Sequence, residues 1–243
     1  MEQLPFTALL NKIFGGVALA ILNALGIHSH HPEAPITNFV AMQILVALLL
    51  LAFFLLIRSR LSVESPGGIQ HIIEGISGFV QDQSNEIIGH HSQPYTAFLV
   101  TLGLFILSCN LLGLVPGFES PTANPSVPLG CALCAFGYYN WQGIRKQGPL
   151  TYLKHFAGPL PALAPLMVPI ELVSHSARVL SLTIRLTANM FAGDLVTLVF
   201  ISLIPLGVPI IFMGLHIFVS FLQAYIFVLL TTVYLSEAVA EAH

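Results

Sequence analysis

The stretch that decides the fold is LVTLVFISLIPLGVPIIFMGLHIFVSFLQAYIFVLLTTVYLS, residues 195–236, a run of 42 residues without Asp, Glu, Lys or Arg. In the whole chain of 243 residues, 56% are hydrophobic and 8% are charged, whereas about 25% are charged in a typical soluble domain. So few charges would not keep a soluble surface of this size dispersed. The composition therefore predicts an all-α integral membrane protein and disfavours a soluble one.

The rest of the composition disfavours other broad classes. The net charge of −3 gives no support to nucleic-acid binding. Cys131 and Cys134 form a C-x-x-C pattern without a second ligand pair, so we expect thiols that pack as small apolar groups. The histidines of HSHH, which are His28, His30 and His31, lack a rigid spacing. We predict no cofactor and no metal site, and no cleaved signal peptide because the first residues lack a basic region.

Five segments are apolar enough to cross a bilayer core, which takes about 20 residues. They are residues 37–57, 95–115, 126–142, 166–204 and 210–236. Segment 66–91 instead places isoleucine and phenylalanine at helical spacing among polar residues, so we predict an amphipathic helix on the membrane surface. The apolar stretch 4–26 could form a helix on the outer surface.

The fourth segment is too long for a simple span. A continuous helix over 166–204 would measure about 58 Å, so it must tilt steeply or break. The last segment is also longer than a span requires. The sequence thus predicts one membrane domain over 1–243. Its parts are an N-terminal outer-side segment (1–36), peripheral spans with the amphipathic helix (37–165) and a hairpin of two long helices (166–243).

Among the loops between the predicted spans, basic residues occur in only two connections. Arg58 and Arg60 follow the first span, and Arg145, Lys146 and Lys154 follow the third. The other two loops between spans carry no Lys or Arg. Positively charged loops stay in the cytoplasm, so we predict the N-terminus outside and the C-terminus inside.

The long fourth and fifth segments carry polar and ionisable residues that are expensive to insert. On insertion scales a charge at the bilayer centre costs about 2.5–3.5 kcal/mol, so function is the default interpretation. At 100° per residue, six polar side chains share one ridge of the fourth segment: Glu171, Ser174, Arg178, Ser181, Arg185 and Asn189. Asp194 lies about 180° from Arg185. It should therefore face the last helix, where His216 and Gln223 lie on nearly the same side.

Structural roles remain open for several of these residues. Arg185 could pair with Asp194 or Glu171, although Asp194 faces away and Glu171 is about 21 Å along the axis. Arg178 could extend to the interface or pair with Glu171. Ser174 and Ser181 could bond the backbone of their own helix, and His175 could be satisfied by local partners. Gln223 could simply hold two helices together.

Two C-terminal stretches carry a family pattern. They are ELVSHSARVLSLTIRLTANMFAGDL, residues 171–195, and LHIFVSFLQAYIFVLLTTVYLSEAVAEAH, residues 215–243. With PITNFV (35–40) and NLLGLVPG (110–117), they resemble subunit a of F-type ATP synthases over nearly the whole chain. The resemblance implies a proton-translocating stator subunit without a catalytic site of its own. Such a subunit forms two offset aqueous half-channels and couples proton flow to c-ring rotation and ATP synthesis.

The resemblance also implies roles for single residues. Arg185 would be the essential arginine that faces the c-ring carboxylate, with Asn189 and Gln223 flanking it on the outer side of the path. The two long helices would be the steeply tilted pair that wraps the ring. The residues between Leu186 and Asn189 are Thr187 and Ala188, where the family often has a bulky residue and Gly.

The remaining implied roles concern the half-channels. The outer half-channel would contain Glu119, Asp194 and His216. The cytoplasmic half-channel would contain Glu171, Ser174 and His175. Asp194 is one methylene shorter than the family's common Glu, so a direct contact with His216 and a bridging water both stay open.

The implied partners are the c-ring, the peripheral stalk with subunit b, the rest of the synthase and the lipid bilayer, with no nucleic acid. The implied location is an energy-transducing membrane, the bacterial plasma or inner membrane. Two other classes compete with this interpretation. A secondary transporter would need an internal repeat, broken helices or its own cavity, and an assembly subunit would leave the polar ridge unexplained.

Overall fold

The computed structural model describes residues 4–24, 35–59, 61–62, 67–89, 92–115, 118–149, 152, 164–203 and 207–240. Over these ranges the secondary structure is helical, with no strand, which confirms the predicted all-α class. The helices are α1 (Pro5–Ala24), α2 (Asn38–Arg58), α3 (Gly68–Ile88), α4 (Gln93–Leu112), α5 (Ser126–Gln147), α6 (Ala164–Leu203) and α7 (Val208–Val239). A short 3-10 helix, Pro121–Ala123, lies between α4 and α5.

Four helices in the described part are long and apolar enough to cross a membrane. They are α2, α4, residues Pro165–Leu203 of α6 and residues Pro209–Val239 of α7. Four of the five predicted spans are therefore supported by length and composition. The remaining segment, predicted over 126–142, also forms a helix, α5, but the second half of this helix carries Asn140, Gln142, Arg145 and Lys146, and it is not among the four. A fifth span stays a prediction, as does the tilt of the long helices.

The fourth span is one unbroken helix. α6 runs for 40 residues despite Pro169, which corresponds to about 60 Å. The sequence allowed either a steep tilt or a break to accommodate the excess length. No break occurs between Ala164 and Leu203. α7 is 32 residues long and follows Gly207, whose φ of 88° suits a residue without a side chain.

The core joins α4, α5, α6 and α7. On α6, Leu182, Leu186 and Met190 repeat at four-residue spacing and are all buried, so they form one packed stripe. Cys131 of α5 and Phe227 of α7 pack in the same cluster. The predicted packing role is confirmed for Cys131, and all three cysteines are free.

The amphipathic segment forms the helix α3. Its apolar side chains Ile72 and Phe79 are exposed, while polar groups join it to α4. Gln81 Nε2 donates to Ser92 Oγ at 2.7 Å, and the Thr96 hydroxyl donates to Gln81 Oε1. The helix is confirmed, whereas its position on the membrane surface stays a prediction.

A buried polar network fixes the connection between α4 and α5. Asn110 of α4 is completely buried. Its Oδ1 accepts a hydrogen bond from Thr122 Oγ1 at 2.7 Å, and its Nδ2 donates to the Ser220 carbonyl of α7 at 3.3 Å. Because these bonds tie the 3-10 helix to two long helices, they position Glu119, two residues before the 3-10 helix, beside them. Glu119 Oε1 accepts a further bond from Asn38 Nδ2 of α2, at 3.3 Å.

Candidate functional site

Arg185 lies on the border between the packed and the exposed side of α6. Leu182 and Leu186 are buried on one side, whereas Ile184 is 55% exposed on the other. The guanidinium is partly exposed, and its Nη2 lies 3.5 Å from Ser181 Oγ. It forms no ion pair with any described residue, so the structural alternatives with Asp194 and Glu171 are not realised here.

Asp194 projects from α6 toward His216 of α7. The distance between Asp194 Oδ1 and His216 Nδ1 is 3.8 Å, which is too long for a direct hydrogen bond. The His216 side chain is 3% exposed and that of Asp194 is 35% exposed. The predicted facing of Asp194 and His216 is therefore confirmed. The shorter Asp194 side chain left either a direct contact with His216 or a bridging water possible. The structure shows no direct hydrogen bond between them.

Gly193 explains how the imidazole approaches α6 so closely. A Cβ at this position would lie 2.7 Å from His216 Nδ1 and 2.9 Å from Cε1, inside any normal contact distance. The His216 Nε2 atom is buried and has no hydrogen-bond partner within the described chain. Buried polar atoms normally have a partner, so this nitrogen is available to an external donor or acceptor.

A cavity of about 550 Å³ opens beside these residues. Its polar lining includes three residues predicted for the outer half-channel, Glu119, Asp194 and His216. These come from the α4–α5 connection, α6 and α7, so only the folded chain brings them together. Asn189 and Gln223 do not line this cavity. Asn189 is exposed and Gln223 is 5% exposed.

A second polar cluster lies near the other end of α6. His175 is 8% exposed; its Nε2 lies 3.3 Å from Glu171 Oε1 and its Nδ1 lies 2.9 Å from Tyr139 Oη. Both imidazole nitrogens of His175 therefore have partners within the chain, Glu171 on the same helix and Tyr139 on α5. Ser174 lies between these two α6 residues in sequence and is half-buried. Tyr152, in the connection after α5, donates to Asn140 Oδ1 at 2.7 Å, and burial raises the pKa of its phenol above the ordinary value.

Arg178 does not pair with Glu171. Its Nη2 lies 2.7 Å from Glu237 Oε2 of α7, and its guanidinium carbon lies 4.8 Å from the Tyr234 ring centroid. The suggested Arg178–Glu171 pair is therefore wrong, because α7 brings a closer carboxylate and Glu171 faces His175. Sequence reasoning missed Glu237, although a carboxylate directly after a 42-residue uncharged run was a visible signal.

Tyr139 is also a residue that sequence reasoning missed. It lies on α5 and is 2% exposed, and its partner is 36 positions away. No local pattern identifies such a contact. For metal ligands, the described residues hold no group of three or more His, Cys, Asp or Glu that could bind an ion. The HSHH histidines His28, His30 and His31 lie outside the described residues.

Apolar helices of spanning length, with ionisable groups between the two longest, define a helical membrane protein of the kind that conducts ions or protons. Comparison with known proteins narrows this class. Residues 40–236 match the family described as ATP synthase A chain. The chain therefore belongs to that family.

Individual relatives are similar to this chain over most of its length. The chain is 57% identical to ATP synthase subunit a of Koribacter versatilis over 242 residues, covering 100% of this chain and 99% of that protein. It is 58% identical to ATP synthase subunit a of Solibacter usitatus over 91% of this chain and 96% of that protein. It is 42% identical to ATP synthase subunit a 3 of Pelobacter propionicus over 82% and 86% respectively. Family membership and the apolar helices support an integral membrane location and a part in ATP synthesis and proton transport.

Proposed function

We propose that this chain is the proton-translocating stator subunit of an F-type ATP synthase. It has no catalytic site of its own, and it couples proton flow to rotation of a c-ring and so to ATP synthesis. The observation that carries the proposal is the separation of two polar regions along α6. The cavity beside Asp194 is at one end, the Glu171–His175 cluster is at the other, and Arg185 lies between them.

The spacing along α6 fits two offset half-channels. Arg185 is nine residues from Asp194 and 14 residues from Glu171, or about 14 Å and about 21 Å along the helix axis. In the proposal, protons enter from outside past Glu119 and reach His216 and Asp194. The 3.8 Å distance between His216 and Asp194 exceeds a direct hydrogen bond. In the proposal a water in the adjoining cavity, to one side of the pair, bonds to both groups.

The outer path delivers the proton to a carboxylate of the c-ring, which then turns through lipid in its neutral form. Asn189 and Gln223 flank Arg185 on this side. After nearly a full turn the ring carboxylate releases its proton toward Glu171, with Ser174 and His175 lining the cytoplasmic half-channel. His175 suits this place because one imidazole nitrogen faces a carboxylate and the other a hydroxyl that can donate or accept.

Arg185 separates the two half-channels. A guanidinium is charged at every physiological pH. Its positive charge favours the ionised form of an approaching ring carboxylate and so promotes release of the proton. The same charge repels protons and opposes a direct leak. Its partial exposure and its lack of an ion-pair partner in the described chain leave the guanidinium free for the ring.

The proposed partners are the c-ring, the peripheral stalk with subunit b, the other synthase subunits and the lipid bilayer. The proposed location is an energy-transducing membrane, the bacterial plasma or inner membrane. The basic residues of the two connections support an N-terminus outside and a C-terminus in the cytoplasm.

The test is ATP-driven acidification of inverted membrane vesicles that contain the whole synthase, with and without sodium. Arg185→Ala should abolish acidification while the complex remains assembled. Arg145→Ala, which removes an exposed cation in the last turn of α5, is the matched control and should retain it. Normal pumping by Arg185→Ala would contradict the proposal, and sodium-dependent pumping would change the coupling ion.

A further inference from the structure

Two arginines of the α6 ridge have opposite surroundings. Arg178 and Arg185 are seven residues apart, which places them about 10 Å apart along the axis and about 20° apart around it. Among the described residues, the Arg185 guanidinium has one polar contact, with Ser181 Oγ at 3.5 Å. Arg178 is bound to Glu237 at 2.7 Å and is covered by the Tyr234 ring.

An unpaired Arg178 would compete with Arg185. Both guanidinium groups are permanently charged, and each attracts carboxylates strongly where water is scarce. A second free cation on the ridge would hold a ring carboxylate that has just left Arg185. It would also attract Glu171, which lines the same small cavity of about 40 Å³.

The groups around Arg178 come from three helices and one connection. Glu171 and His175 lie on α6 itself, while Tyr234 and Glu237 lie on α7. Tyr139 of α5 contacts Arg178's neighbour His175, and Tyr152 of the connection after α5 lines the cavity. Glu237 pairs with Arg178, and Glu171 pairs with His175, so each carboxylate has a separate partner.

We propose that Glu237 is a positioning residue that neutralises Arg178, so that Arg185 alone of the two arginines binds the ring carboxylate and Glu171 stays able to accept the released proton. This inference rests on the proposed function. A purely structural role is the competing explanation, and it is weak because the Glu237 side chain is 52% exposed. Ion pairs at exposed positions contribute little to stability, and α6 already packs on α7 through the buried cluster of Leu186 and Phe227.

The two explanations predict different results from three variants. If Glu237 neutralises Arg178, Glu237→Gln should lower proton-driven ATP synthesis by roughly tenfold, the effect of about 1.4 kcal/mol on a barrier. Arg178→Gln should stay within about twofold of the unmodified protein, because it removes the competing charge itself. The double variant should recover to the level of Arg178→Gln. If the pair only holds helices together, both single variants should be equally impaired and the double variant should not recover.

The measurement is ATP synthesis in energised vesicles, divided by the amount of assembled synthase on native gels. Glu237→Asp keeps the charge and should keep most of the activity, so a loss equal to that of Glu237→Gln would overturn the inference. Equal losses in both single variants would overturn it too. The inference would also be overturned if the Glu237→Gln protein were missing from the membrane, alone or combined with Arg178→Gln. The loss of activity would then come from failed folding. Failure of the proposed function is separate, because it would appear as proton pumping by Arg185→Ala.

Discussion

The imidazole Nδ1 of His216 lies 3.8 Å from Asp194 Oδ1, across the contact between α7 and α6. This approach depends on Gly193, which presents no side chain to the ring. The two groups line one cavity, lie beyond direct hydrogen-bond distance of each other, and belong to helices that pack along a buried cluster.

If Asp194 and His216 act on the same proton, their effects should be coupled. We expect Asp194→Ala and His216→Ala each to slow passive proton flux through vesicles stripped of the catalytic sector. The double variant should be little worse than the more severe single one. Thr197→Val is the control, because Thr197 lines the cavity but its hydroxyl bonds to the Gly193 carbonyl of its own helix. Additive effects of the two replacements would argue against a shared step.

Gly193→Ala should displace the imidazole. The added methyl group would lie 2.7 Å from His216 Nδ1, so the ring or the helix pair must shift, at a cost of about 1–3 kcal/mol. We expect a lower melting temperature of the purified complex and slower proton flux. Gly214→Ala on α7 is the matched control, since a Cβ there meets no atom within 4 Å. Unchanged flux and stability for Gly193→Ala would show that His216 does not require this close approach.

Replacement of Arg185 by lysine should remove most of the coupled ATP synthesis. A lysine keeps a cation but can lose its proton when desolvated, and it lacks the planar group that binds a carboxylate with two parallel bonds. We expect assembled complexes with little ATP synthesis in energised vesicles. Lys146→Arg, the reverse exchange at an exposed position of α5, should have no effect. Full activity of the lysine variant would show that charge alone is sufficient at this position.

Asn110→Ala should destabilise the packing around the outer loop. It removes two buried hydrogen bonds, one from the Thr122 hydroxyl and one to the Ser220 carbonyl, which costs about 1–3 kcal/mol in total. We expect lower yield and a lower melting temperature of the purified complex. The control on the same helix is Thr101→Ala, because that exposed hydroxyl bonds only to the Ala97 carbonyl. Equal stability of both variants would mean that the network contributes little.

The helices were largely predictable, because apolar length and helical periodicity are local properties. The segment predicted as 66–91 forms helix α3, Gly68–Ile88, and the one predicted as 166–204 forms α6. The first of these ends at Gly89, whose φ of 99° favours glycine. The uncertain element is α5, whose polar second half packs against other helices, so that hydropathy alone gives a weak signal.

In the candidate site, relationships between residues of one helix were predictable, and few of those between two helices were. The angle between Arg185 and Asp194 follows from helix geometry, and the facing of Asp194 and His216 was confirmed. The partner of Arg178 was predicted wrongly, because the nearest carboxylate in sequence is not the nearest in space. The contact between Tyr139 and His175 joins two helices, and no spacing rule covers it.

The sequence by itself determined the membrane class, the long helices, the family and the polar ridge, since each follows from composition, periodicity or local motif. Only the tertiary structure decided which charge is neutralised. Arg178 and Arg185 have the same chemistry and almost the same direction on α6, yet α7 supplies Glu237 to one and leaves the other unpaired among the described residues. The reason is physical: an ion pair depends on a distance of a few ångströms between helices, which no pattern along one helix specifies.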